Sequence, residues 1–199
     1  MVLIVAVMVF AAGLHYRYFI GTVVAMAPVI YLVLVSEPYR LQRLLAFLHP
    51  EADPLGDGFQ IIQSRIAVGT GGVLGRGLME GVQKLFYLPE PHTDFIYAVI
   101  AEELGLIGAS AVLLCFVVIT WRGLRVSVRA EDSFGSFVAL GLTTMIGVQA
   151  FVNISMVLSL LPTKGIPLPL VSNGGSSLLI SLLAMGMLLN ISQHESAEA

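Results

Sequence analysis

The chain has 199 residues, 57% of them hydrophobic and only 12% charged, with a formal net charge of −3 and a mean hydropathy of +0.90. Soluble domains are about 25% charged, so this composition excludes an ordinary soluble enzyme and predicts an all-α polytopic membrane protein, helices being the natural spanning structure. No basic run points to nucleic acid, and the single cysteine, Cys115 in an apolar stretch, excludes an internal disulfide.

Met1 opens directly into apolar sequence, without the charged n-region and small-residue cleavage site of a signal peptide. The first candidate span, 1–13, falls short of the roughly 20 residues a crossing needs. The chain is therefore expected to be truncated at its start, or to begin with an unusually short helix. Further spans are predicted over 18–36 (with Pro28 inside), 95–120, 134–161 and 177–191, five in all. Arg122, Arg125 and Arg129 mark the connection 121–133 as cytoplasmic. Alternation then puts 14–17 and the polar tail 192–199 inside, with 37–94 and 162–176 outside. The outer segment also holds Arg40, Arg43, Arg65, Arg76 and Lys84, cations that need a reason of their own. Within it, 39–48 has the spacing of an amphipathic interfacial helix, and 59–68 fits a short helix or a re-entrant piece. Residues 69–78 contain five glycines in ten, which means flexibility or close backbone approach.

Several polar residues could carry chemistry. Asp94 follows His92 and Thr93 and precedes an apolar helix. It could cap that helix, as could Thr93. It could equally serve as a general base at the membrane surface, where the helix dipole favours its negative charge. Glu102 and Glu103 fall well inside the same span, where acids face a bundle interior or a wet cavity. Gln149 and Asn153, four apart, share one helix face and suit interhelical hydrogen bonds or a polar path. Residues 161–177, LPTKGIPLPLVSNGGSS, combine three prolines and Lys164 with Ser172, Asn173, Gly174, Gly175, Ser176 and Ser177 just before a helix. That group suits an anion such as a phosphate, or an ordinary turn with a serine cap. Arg65, Arg76 and Lys84 could meet the same anion or a lipid headgroup. No metal-ligand set is visible: His49 and His92 are isolated, and a divalent cation remains possible without a dedicated cage.

Four stretches taken together resemble the SEDS family of shape, elongation, division and sporulation proteins. They are GFQIIQSRIAVGTGGVLGRGL at 58–78, VQKLFYLPEPHTDFIYAVIAEELGLIG at 82–108, QAFVNI at 149–154 and LPTKGIPLPLVSNGGSS at 161–177, covering most of residues 40–190 in order. The wording VQKLFYLPE is closer to the division branch than to the elongation branch. Asn173 departs from the tyrosine of the division branch's SYGGSS pattern.

The resemblance implies a peptidoglycan glycosyltransferase of about ten membrane helices, of which this chain is the C-terminal half, helices six to ten. Its substrate would be lipid II, and Asp94 matches the family's essential acid in HTDF. The loop 37–94 matches the extracytoplasmic loop between helices seven and eight. A class B penicillin-binding protein and other division proteins would be partners, at the septal plasma membrane. The half-bundle alone is expected to be inactive, because it leaves groups such as Glu102 without their neighbours. Two other classes stay open. A lipid II flippase would use Glu102, Glu103, Gln149 and Asn153 as an intramembrane polar path. A membrane scaffold would recruit the penicillin-binding protein without needing Asp94.

Overall fold

The computed structural model describes residues 2–35, 45–54, 56, 58–82 and 93–194. Among these it is helical, with α1 (Val2–Ala11), α2 (Tyr16–Val35), α3 (Phe59–Gly71), α4 (Ile96–Arg129), α5 (Ser133–Val157) and α6 (Gly175–Ser192). The amphipathic segment expected over 39–48 lies outside the described residues except for its helical end, 45–48.

Helix ends follow local chemistry. Gly13, at φ 90°, closes α1: its N–H donates to Phe10 O at 3.0 Å and that of Leu14 to Val9 O at 3.3 Å. This is a Schellman motif on the residue type best able to adopt it. The same motif closes α5 through Ser159 at φ 57°, with Ser159 N–H on Met156 O and Leu160 N–H on Ser155 O. Asp132 sits in extended conformation before α5 and accepts from Gly135 N–H at 2.9 Å, an N-cap.

Among the described residues, three helices, α4, α5 and α6, are long and apolar enough to cross a membrane, and only 17–33% of their most apolar windows is buried. Leu114, Val117, Phe151 and Leu182 are among the large side chains left outward. In water such a surface would be costly; against lipid tails it is not. α1 packs against α5 and α2 against α1. The α4–α5 crossing is close because small residues meet threonines, Gly123 against Thr143 and Gly147 against Thr120. Ser127 and Ser136 exchange hydroxyl-to-carbonyl bonds where the two helices join. The core joins α3, α4, α5 and the 158–174 segment through Ala67, Phe95, Ala101, Ile154, Val157 and Leu168.

Two boundaries differ from the sequence reading. The connection expected over 121–133 contracts to 130–132, because α4 runs on to Arg129 and carries Arg122, Arg125 and Arg129 on its last turns. Trp121 lies under the Arg125 guanidinium at 5.9 Å, an aromatic–cation pair suited to a membrane interface. The segment 37–94, expected as an outer loop, contains a helix that enters the bundle. α3 begins near the Val157 end of α5, where Ser64 Oγ donates to Val157 O at 2.7 Å. It then runs beside α4 until Gly71 abuts Ala101. Residues 59–68 are helical, as part of α3.

α4 is broken at Gly105, with φ 67° and ψ −163°. Non-glycine residues essentially never occupy that conformation. The break lies roughly 14 Å along the helix from Ile96, at the usual rise per residue. Within a bilayer the freed backbone groups need partners. The glycine-rich loop after α3 supplies them. Arg76 and Gly77 N–H donate to Glu102 and Glu103 carbonyls, both at 3.0 Å, while Leu106 and Ile107 N–H donate to Gly72 and Val73 carbonyls at 2.9 and 3.3 Å. A Cβ on Gly75 or Gly105 would collide with the opposing backbone. Close approach explains Gly71 and Gly75, while Gly72 and Gly77 adopt positive φ in the turns between them and α4.

Candidate functional site

Asp94 lies at the end of the bundle where α4 begins, α5 ends and α6 begins. Phe95, not Thr93 or Asp94, is the N-cap residue of α4, and it makes no side-chain capping bond. What positions Asp94 instead is a pair of bonds to the main chain on either side of it. Asn153 Nδ2 donates to the Asp94 carbonyl at 2.8 Å and to the Ile166 carbonyl at 2.7 Å. Ser172 Oγ donates to the Thr93 carbonyl at 2.6 Å and accepts from Leu168 N–H at 2.7 Å. Gln149 Nε2 donates to the Pro167 carbonyl at 3.0 Å. Gln149 and Asn153 thus share a face, as their spacing implied. They hold irregular segments rather than another helix.

These bonds lay the 161–174 segment across the Asp94 turn. The carboxylate faces Gly165, where a Cβ would stand 3.1 Å from Asp94 Oδ2. Lys164, next in the chain, is exposed, and its N–H donates to Met156 Sδ at 3.0 Å. The exposed cation and the carboxylate therefore lie on adjoining segments.

The other predicted residues divide by position. Ser172 is buried, 3% exposed, and its hydroxyl is committed to the two bonds above; its contribution is to hold Thr93 rather than to face an anion. Asn173 and Ser176 are exposed, and Gly174 is the N-cap of α6 without a side-chain bond. The serine cap expected there is replaced by glycine, with Ser176 and Ser177 inside the helix. Ser176, Ser177, Ser181, Gln149, Ile166 and Pro167 line part of a cavity of about 450 Å³ beneath the 161–174 segment. Arg65 is exposed on α3, one residue from Ser64. Lys84 and His92 lie outside the described residues. Arg76 is not at Asp94; its Nη1 lies 3.9 Å from Glu102 Oε1, near the helix break.

Glu102 and Glu103 form a second polar centre at that break. Glu102, fully buried, accepts from Val82 N–H at 3.0 Å, and Glu103 accepts from Met79 N–H at 3.1 Å. Among the described residues, no three His, Cys, Asp or Glu side chains converge on a point suited to a metal ion. Sequence reasoning assigned no role to Gly165 or Gly105. Both are single glycines whose partners lie far along the chain.

Comparison with known proteins points one way. The family model described as cell cycle protein, covering FtsW, RodA and SpoVE, matches residues 1–197. A probable peptidoglycan glycosyltransferase FtsW of Geobacter metallireducens is 52% identical over 185 residues, 93% of this chain and 49% of that protein. Stage V sporulation protein E of Bacillus subtilis is 50% identical over 189 residues, 94% of this chain and 51% of that protein. A solved structure described as "Structural coordination of polymerization and crosslinking by a peptidoglycan synthase complex" is similar with a TM-score of 0.73 and 31% identity. It is matched over 96% of this chain and 53% of its own. The chain spans about half the length of the curated relatives it matches.

Proposed function

Because this chain belongs to the cell cycle protein family of FtsW, RodA and SpoVE, we propose that it is the part of a peptidoglycan glycosyltransferase that carries the catalytic base, Asp94. The observation that carries this reading is the placement of Asp94. Its main chain is held on both sides by Asn153 and Ser172, and its carboxylate is turned to the glycine beside an exposed lysine.

In the proposed reaction the Asp94 carboxylate takes the proton of the GlcNAc 4-hydroxyl of lipid II. That oxygen attacks the anomeric carbon of the donor MurNAc from the face opposite the leaving group. The bond from that carbon to undecaprenyl pyrophosphate breaks with inversion, and the leaving group departs with its electron pair. A pyrophosphate leaves without a protonated acid, so one carboxylate suffices, unlike the carboxyl pairs of glycosidases. Lys164, with the exposed Asn173–Ser176 start of α6, is placed to receive departing negative charge. Asp94 then returns its proton to water.

The names of the relatives favour the division branch, and with it a class B penicillin-binding protein as the partner that crosslinks the product. Under this reading the Asp94 end faces outward and the arginine end of α4 faces the cytoplasm. A flippase would need Glu102, Glu103, Gln149 and Asn153 to line a path. All four have side-chain atoms committed to backbone groups, which weighs against it.

The test is lipid II polymerisation by the complete protein with its partner, wild type against Asp94→Asn. Asparagine keeps the size of the side chain and cannot take the proton. Lost polymer with normal expression and partner binding assigns Asp94 to the chemistry. Retained polymer returns transport or scaffolding as the better account.

A further inference from the structure

We propose that the cleft between α4 and α6 at the arginine end of the bundle binds an anionic phospholipid of the adjoining leaflet. Arg122 and Arg125 meet the headgroup phosphate, and the apolar end of the cleft takes an acyl chain. The proposal is independent of the reading of Asp94, which lies at the opposite end of α4.

α4 and α6 both begin at the Asp94 end and both pack on α5, so they run side by side toward the arginine end. There they stand apart over α5, and Val126 and Leu188 close the floor by packing against Ala139. Above that floor is a cavity of about 470 Å³, lined by α4 from Val118 to Val126 and by α6 from Met185 to Ser192. Ligand sites commonly fall in the range of about 300–1,000 Å³. The lining changes character along its length. Val118 and Met185 lie toward the middle of their helices, Arg122 and Arg125 toward the end of α4.

The polar end of the cleft offers positive charge and nothing to neutralise it. Arg122 and Arg125 are exposed, and among the described residues neither forms an ion pair. The carboxylate of Asp132, on the connection that follows α4, is engaged by Gly135 N–H. Ser192 adds no donor, because its hydroxyl goes to the Leu189 carbonyl at 2.8 Å. Arg125 lies over Trp121, which anchors it at an interface. Two guanidinium groups three residues apart share a helix face. Without a carboxylate between them they suit a phosphate, and basic pockets between membrane helices take anionic headgroups.

The extent of the cleft selects a lipid over a protein helix. Val118 to Val126 covers about 12 Å at the helical rise, which is less than half of a hydrocarbon core about 30 Å thick. A lipid occupies one leaflet, with its charge at the surface and its chain toward the midplane, the same order as the lining. A membrane helix would run on through both leaflets and would have to bring its own carboxylates.

The experiment uses the complete protein in a neutral detergent. Native mass spectrometry measures how tightly it retains dioleoylphosphatidylglycerol and dioleoylphosphatidylcholine, a readout that needs no polymerisation. The wild type is expected to hold the anionic lipid about tenfold or more tightly, from two arginines near a lipid surface. Arg122→Gln combined with Arg125→Gln should bring the two lipids to near parity. Val118→Trp fills the apolar end and keeps both arginines; it should weaken retention of phosphatidylglycerol by about tenfold, through lost burial of the chain. Inorganic phosphate at the lipid's concentration should displace nothing. With both arginines present, Leu189→p-benzoylphenylalanine should photo-crosslink to phosphatidylglycerol. Three results overturn the proposal: a double variant that keeps the wild-type preference, displacement by inorganic phosphate, which would make this a site for a free anion, or a photo-adduct with polypeptide, which would mean that a helix fills the cleft. The photo-adduct decides the matter even if the arginine variants fail to fold.

Discussion

The two polar centres of this molecule use opposite chemistry on the backbone. At the Asp94 end, an amide and a hydroxyl donate to main-chain carbonyls, and the carboxylate is turned to the edge of the neighbouring segment. At the Gly105 break, the carboxylates themselves accept from main-chain amides. An acid well inside the span is engaged in structure, while an acid at its rim is positioned by others. The location of a carboxylate within a membrane helix is therefore a poor guide to its role; which of its neighbours donates to what is a better one.

The largest expected effect tests the rim. Asp94→Asn should lower polymerisation by about 10²–10⁴-fold, the usual contribution of a general base, without altering thermal unfolding of the complete protein. A matching loss of stability would erase the contrast between the two centres. Next comes the break. Gly105→Ala should destabilise by about 2–4 kcal/mol, combining a forbidden backbone conformation with a backbone clash, seen as a lowered Tm in detergent. Asn153→Ala then sharpens the comparison, because it removes the donor of two carbonyls at once. A loss of about 1–3 kcal/mol in stability is expected for groups left unpaired on burial, accompanied by reduced kcat. Gly165→Ala places a methyl 3.1 Å from Asp94 Oδ2. Its effect should be confined to kcat and amount to about tenfold or less, within the cost of a modest misplacement. The smallest effect is a gain: Ser159→Gly relieves a left-handed residue and removes a buried hydroxyl lacking a partner, worth about 1 kcal/mol by thermal unfolding.

Much of this architecture was legible in the sequence for a simple reason. Long apolar runs have one outcome in lipid, and the helices α4, α5 and α6 lie where hydropathy put them. The glycines of 69–78 left flexibility and close approach open, and Gly71 and Gly75 show the second. The packing of α3 against α4 and the break at Gly105 were harder to see. A lone glycine in an apolar run looks like any other, and the groups that make its conformation tolerable lie at Gly72–Gly77. Asn153 and Gln149 gave a shared face but not its partners, because carbonyls carry no sequence signature. Ser172 looked like part of an anion cradle. Only the fold shows that its hydroxyl serves Thr93 and Leu168.

The exchange of hydrogen bonds at Gly105 also bears on how the molecule is made. A helix kinked there cannot exist by itself in lipid, since its released amides and carbonyls would have no solvent to turn to. The strand of glycines that satisfies them precedes α4 in the chain and leaves the ribosome first. The segment that repairs the helix is thus made before the helix it repairs, and order of synthesis matches order of need.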